Sequence, residues 1–215
     1  IYYGIYDETV DYKNIDYKKG KYDNKELEKA LMLNKRAELI LKHYEKYKSK
    51  RAFGFCTSRA HAEYMAKYFN ENKIKSVAVY SGEKGEFSEE RDEAIRKLVK
   101  GEINVIFSVD MFNEGLDVPS IDLVMFLRPT ESPTIFLQQL GRGLRKAPNK
   151  EYLTVLDFIG NYKRADMLPF LLSGKEYTPS KSKKGEIKEF KYPEDCVVDF
   201  DFKVMDIFKK LEEKQ

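Results

Sequence analysis

The chain has 215 residues, 35% charged and 42% hydrophobic, with a formal net charge of +3, a length that can bury a sizeable core and fits one ordinary domain with an appendage. No apolar run approaches the roughly 20 residues needed to cross a bilayer and no signal-peptide pattern opens the chain, so a cytoplasmic protein with no membrane partner is expected. Cys56 and Cys196 lie far apart without nearby His or Cys, which leaves no readable disulfide framework and no metal site; both are expected to be buried thiols.

The opening stretch interleaves Tyr2, Tyr3, Tyr6, Tyr12, Tyr17 and Tyr22 with Lys13, Lys18, Lys19 and Lys21. Such a mixture can serve single-stranded nucleic acid by stacking and phosphate contact, but short strands or a connector packed on a domain is the simpler reading. Ile1 begins in the middle of structured-looking sequence, so a piece of a longer protein is expected. Asp23 with Glu26 resembles a capping box, and Leu27, Ala30, Leu31, Leu41 and Tyr44 at near-helical spacing predict one long helix to about Tyr47.

From Arg51 short apolar runs alternate with amphipathic stretches, the pattern of a parallel sheet covered on both faces. Strands are predicted at Ala52 to Phe55, Ser76 to Tyr80, Val105 to Phe107, Leu123 to Leu127 and Leu153 to Leu156. Ala62, Met65, Ala66 and Phe69 form one helical stripe; Ala94, Ile95, Leu98 and Val99 form a second that ends at Gly101. Ser88, with Glu89 and Glu90 after it, is the predicted cap of that second helix, and Ser132-Pro133 opens another. Past about Ser173 the character shifts: Thr178 to Gly185 reads as an exposed loop, followed by strands at Ile187 to Tyr192 and Cys196 to Phe200 and a short helix from Val204 to Leu211. The whole reads as α/β: an N-terminal connector and long helix (1–48), a doubly covered parallel-sheet domain (49–173) and a C-terminal extension (174–215).

Chemistry concentrates in Gln138-Gln-Leu-Gly141-Arg142-Gly-Leu-Arg145. Two arginines three apart share a helical face, and planar, permanently charged guanidiniums suit the equatorial oxygens of a transferring phosphoryl group. An ordinary basic helix end is the competing reading, and the octet alone does not choose. Upstream, Ser108-Val-Asp110-Met-Phe-Asn-Glu-Gly115-Leu-Asp117-Val-Pro119 follows a predicted strand end, where open α/β sheets bind ligands. Ala52 to Phe55 runs into Cys56-Thr57-Ser58-Arg59, a strand delivering hydroxyls and amides to a helix start.

In order and spacing these segments resemble motifs IV, V and VI of the C-terminal RecA-like domain of superfamily 2 DEAD/DEAH-type helicases, over about Arg51 to Tyr162. The wording Arg128-Pro-Thr-Glu-Ser132 is similar to the bacterial type III restriction subunit kind. The resemblance implies a RecA-like parallel sheet with helices on both faces. It also implies that Arg142 and Arg145 act as arginine fingers, and that Gly115, Asp117, Gln138 and Gly141 contact nucleotide. Thr57, Ser58, Arg59, Ser81, Gly82 and Asp110 would contact nucleic acid. Val109 stands where many relatives carry Thr.

No G-x-x-x-x-G-K-[ST] loop and no acidic pair at a strand end is present. Asp92-Glu93 imitates an acidic box but sits on an amphipathic stripe, so a solvated face is expected. The chain is thus expected to be the second lobe of an ATP-dependent helicase or translocase, inactive alone. ATP and Mg2+ would be held mainly by an N-terminal RecA-like domain of the same parent chain, and the track would be nucleic acid, DNA favoured over RNA. The alternative is a non-motor nucleic-acid or protein docking module. A Rossmann-type nucleotide binder is disfavoured because no G-x-G-x-x-G follows a strand.

Overall fold

The computed structural model describes residues 1–47, 49–109, 120–129, 148, 150–163, 165–174 and 190–212. Strand β1 (Tyr2–Tyr6) comes first, then a small hairpin, β2 (Tyr17–Lys18) and β3 (Lys21–Tyr22), followed by helices α1 (Asn24–Leu31) and α2 (Asn34–Tyr47). The alternating region then supplies β4 (Ala52–Phe55), α3 (Arg59–Glu71), β5 (Ser76–Val79), α4 (Arg91–Lys100), β6 (Val105–Ser108), β7 (Leu123–Phe126) and β8 (Thr154–Ile159). Helix α5 (Leu168–Leu172), strand β9 (Val198–Phe200) and helix α6 (Phe202–Glu212) complete the described elements.

Seven strands form one sheet in the order β5-β6-β4-β7-β8-β1-β9, and every pairing in it is parallel. Strands β4 to β8 are buried at every position, which is why their sequences are apolar runs rather than alternations. Phe53, Phe55, Val77, Val79, Ile106, Val124, Phe126 and Val155 pack on one face with α1, α4 and α6. Ala52, Ala78, Val105, Phe107, Leu123, Met125 and Leu156 pack on the other with α2 and α3. Gly54 lets Phe107 cross β4, since a Cβ at that position would lie 2.5 Å from the ring.

The single long helix expected up to Tyr47 is two helices. Leu27 and Leu31 of α1 belong to one core layer; Ala37, Ile40, Leu41 and Tyr44 of α2 belong to the other. One straight rod cannot bury stripes on opposite faces of a sheet, so the chain breaks at Met32, whose ψ of 53° is not helical. Asp23 does cap α1, accepting from the Lys25 and Glu26 amides, but Glu26 accepts from the Asp16 amide, so the cap is not reciprocal.

Ser88 does not cap α4, which starts after Glu90 without a side-chain cap. The reason is the exposed edge of β5: the Ala78 amide donates to the Phe87 carbonyl at 2.8 Å, and the Glu89 amide donates back to Ala78 at 3.0 Å. Gly101 ends α4 in the left-handed region at φ 74°. Asp92 and Glu93 are exposed and Glu93 pairs with Arg96, a solvated face. Cys56 is buried as expected, but Cys196 is exposed. Phe190 to Tyr192 is not strand, residues 187–189 lie outside the described residues, and the later predicted strand shortens to Val198–Phe200. The helix expected at Ser132-Pro133 also lies outside the described residues.

The opening tyrosines are largely structural. Tyr2 and Tyr12 are buried, Tyr12 packs on Tyr22 and Tyr162, and β1 inserts between β8 and β9 as a sheet strand.

Candidate functional site

In an all-parallel sheet every carboxyl end reaches the same edge. The turns after β4, β5, β6 and β7 therefore leave from one side, the place where ligands meet open α/β sheets. Zipping bonds tie these ends together: the Cys56 amide donates to the Ser108 carbonyl at 2.8 Å, Val109 to Val79 at 3.3 Å and Leu127 to Phe55 at 3.1 Å.

After β4, Ser58 is the N-cap of α3, and its hydroxyl accepts from the His61 amide at 3.1 Å. The Thr57 amide donates to Nδ1 of His61 at 3.3 Å. That bond puts the imidazole proton on Nε2, and burial, aided by the nearby Arg36 guanidinium, holds the His61 pKa well below its ordinary value. His61 is therefore a neutral acceptor that fixes the Thr57 backbone. Thr57 and Ser58 are half-buried and Arg59 is exposed, at the amide-rich start of a 13-residue helix.

After β5 come Ser81 and Gly82, and Gly82 stands beside Arg59. Gly82 has φ 95°, and a Cβ there would lie 2.7 Å from the Arg59 guanidinium. Arg59 sits over one side of the turn at 5.8 Å from the Tyr80 ring centre; Lys84 Nζ is 5.7 Å from the same ring and donates to the Tyr80 carbonyl at 2.9 Å. The Tyr80 hydroxyl donates to Glu63 at 2.7 Å and accepts from the Gly85 amide, which pins the turn to α3. Thr57, Ser58, Arg59, Ser81 and Gly82 are thus brought to one edge, with Lys84 added. Lys84 escaped the sequence reading because a lysine in a loop carries no motif.

Asp110, Gly115, Asp117, Gln138, Gly141, Arg142 and Arg145 lie outside the described residues. Their flanks are described. The chain enters 110–119 from the carboxyl end of β6 and enters 130–147 after Arg128 and Pro129, beyond the carboxyl end of β7. Arg128 is close enough to the buried Cys56 to oppose, by its charge, the upward push that burial gives that thiol. Among the described residues no group of three or more His, Cys, Asp and Glu side chains could hold a metal ion.

A wholly parallel sheet, helices on both faces and helix-start anion donors at one edge define a RecA-like α/β lobe. The helicase conserved C-terminal domain model matches residues 34–147, more than half of the sequence, and the chain belongs to that family. It is 36% identical over 127 residues to the putative ATP-dependent helicase IRC3 of Saccharomyces cerevisiae, covering 57% of this chain and 18% of that protein. It is 28% identical over 154 residues to a 51.5 kDa protein of a Lactococcus phage, covering 72% of this chain and 33% of the relative. The chain thus spans a third or less of these relatives. The solved C-terminal domain of the DEAD-box protein Dbp5 superposes with a TM-score of 0.57 at 12% identity, over 100% of this chain and 96% of that one. That likeness shows the fold.

Proposed function

We propose that the chain is the second motor lobe of an ATP-dependent nucleic-acid helicase or translocase. The observation that carries this is the convergence of Thr57, Ser58, Arg59, Ser81, Gly82 and Lys84 at the carboxyl edge of β4 and β5. From the same edge, the segments holding Asp117 and the arginines depart after β6 and β7. The helix-start amides and the Arg59 and Lys84 charges suit successive phosphates of a strand. Arg142 and Arg145, with Gln138 and Gly141, would serve the nucleotide. Permanently charged guanidiniums stabilise charge spreading over a γ-phosphoryl, a role worth about 10³ to 10⁵ in rate. Gly115 and Asp117 would seat the ribose, and Asp110 would lie near the strand.

The sequence contains no phosphate-cradling loop. ATP and Mg2+ are therefore assigned mainly to an N-terminal RecA-like lobe of the parent protein, and the isolated chain is expected to be inactive. Closing of the lobes on ATP and opening on release would shift the grip at residues 57–59 and 81–84 along the track. DNA is the favoured track. The test is ATP turnover by the complete protein with single-stranded DNA, duplex DNA and RNA: stimulation by nucleic acid is expected, strongest with DNA. No turnover with any nucleic acid would leave the non-motor docking-module reading in its place.

A further inference from the structure

We propose that Arg36 and Asp7 form a positioning pair that sets the carboxyl ends of β1, β7 and β8 relative to one another, and so fixes the β7 end from which the chain continues toward Arg142 and Arg145 in sequence. This rests on the motor-lobe reading above.

The pair is fully buried, with both side chains 0% exposed. Arg36 lies in the first turn of α2. Its Nε donates to Asp7 Oδ2 at 2.8 Å, and its Nη2 donates to the Leu127 carbonyl at 3.0 Å. Asp7 directly follows β1; its Oδ1 accepts from the Thr9 amide and hydroxyl, and its own amide donates to the Ile159 carbonyl at 2.9 Å. The guanidinium therefore joins the ends of β1 and β7 directly, and the Asp7 amide ties in the end of β8. Leu127 carries the connection onward, because its amide donates to Phe55 of β4. The next residues, Arg128 and Pro129, lead into 130–147.

Energetics argue that this arrangement is not there for stability alone. Each buried ion loses hydration worth several kcal/mol, and apolar residues of similar volume often serve stability as well or better. Nη1 of Arg36 is buried with no hydrogen-bond partner among the described residues, a further cost. A forked, planar donor nevertheless has what apolar packing lacks: directional bonds to two strand ends at a fixed spacing. The same charge lies close enough to His61 and Cys56 to act on both, so it faces the turn after β4 as well. Asp7 stands outside the family-matched residues 34–147. The N-terminal segment thus supplies the anchor of a brace whose other members belong to the matched domain.

The test uses the complete protein with nucleic-acid-stimulated ATP turnover as readout, comparing parent, Asp7→Asn/Arg36→Met, Arg36→Lys and Arg142→Ala. The double variant removes both charges and is expected to stay folded by thermal melting. Its stimulated kcat should fall at least tenfold with the KM for ATP within twofold. Arg36→Lys keeps the charge but not the fork, and should fall about threefold or more with KM unchanged. A folded double variant with kcat within twofold of the parent overturns the proposal; if the double variant does not fold, Arg36→Lys at parental kcat overturns it. Arg142→Ala separates the two levels: parental turnover in that variant defeats the motor-lobe reading itself, whereas a loss there with active brace variants defeats only the brace.

Discussion

The Thr57 amide donates its hydrogen bond to Nδ1 of His61, one helical turn further on, while the His61 amide donates to the Ser58 hydroxyl. Two adjacent residues at the proposed strand-binding turn are therefore held by one neutral imidazole and its own backbone. The turn is preset before any ligand arrives.

Ser58 has a structural task and a proposed binding task, and two substitutions separate them. Ser58→Ala removes an N-cap and should lower stability by about 1 kcal/mol, read as a urea midpoint, and weaken single-stranded DNA binding several-fold. Ser58→Asp restores the cap and complements the helix dipole, so stability should recover while DNA binding falls further through repulsion of phosphate. Binding that tracks stability in both variants would leave Ser58 as a cap alone.

Arg59, at the start of α3, and Lys84, in the turn after β5, lie 5.8 and 5.7 Å from the Tyr80 ring centre. If each neutralises a phosphate, Arg59→Ala and Lys84→Ala should each reduce the slope of log affinity against log salt by about 0.7 for a single strand. Affinity should drop alike for different base sequences. An unchanged slope in either variant removes that residue from the interface.

Gly82→Ala tests the same turn through the backbone. At φ 95° an alanine is strained, and its Cβ would meet the Arg59 guanidinium at 2.7 Å. The expected cost is about 1 kcal/mol, together with displacement of Arg59 and a loss of DNA affinity similar to that of Arg59→Ala. Parental affinity in a folded Gly82→Ala variant would separate the turn from the binding.

Asp157 sits at the heart of β8, buried, with Oδ2 accepting from the Tyr2 hydroxyl at 2.5 Å. Burial raises its pKa from 3.8 to about 7, with the Tyr2 hydrogen bond opposing the rise. A native pKa above the unfolded one means that the folded state binds more protons between these values. The contribution to stability is then fully present below about pH 4, is lost as the pH rises towards 7 and is flat above, a change on the order of a few kcal/mol. Asp157→Asn cannot titrate, so its stability relative to the parent should improve from pH 4 to pH 8, measured as urea midpoints. A difference independent of pH would contradict the assignment.

Much of this architecture is readable from residue order. Strands β4 to β7 announce themselves as apolar runs because both of their faces are covered, and Gly101 marks the end of α4 because only a left-handed residue closes that turn. What was missed depends on contacts distant in sequence. The α1–α2 break carries no Gly or Pro; its one local trace is that Asn34 and Lys35 fall at the helical spacing after Leu31 where apolar residues would be needed. Ser88 satisfies every local rule for a cap, yet the open edge of β5 claims its neighbours. Of the candidate site, residues 57–59 are expected from the strand-turn-helix pattern and residues 81–82 from the family resemblance, and the fold brings both turns to one sheet edge. Arg36, Asp7 and His61 are not legible, because a buried charge pair and a buried imidazole look like surface residues until the fold encloses them.

Arg142 and Arg145 are proposed to complete an ATPase whose phosphate-binding half lies in another lobe. The most direct measurement is ATP turnover in saturating DNA by the complete protein, its Arg142→Ala and Arg145→Ala variants and the 215-residue chain alone. A loss of at least about a thousandfold in kcat is expected for each variant, with the KM for ATP little changed, and no turnover by the isolated chain. Parental turnover in both variants, or turnover by the chain alone that disappears on Arg145→Ala, would contradict that proposal.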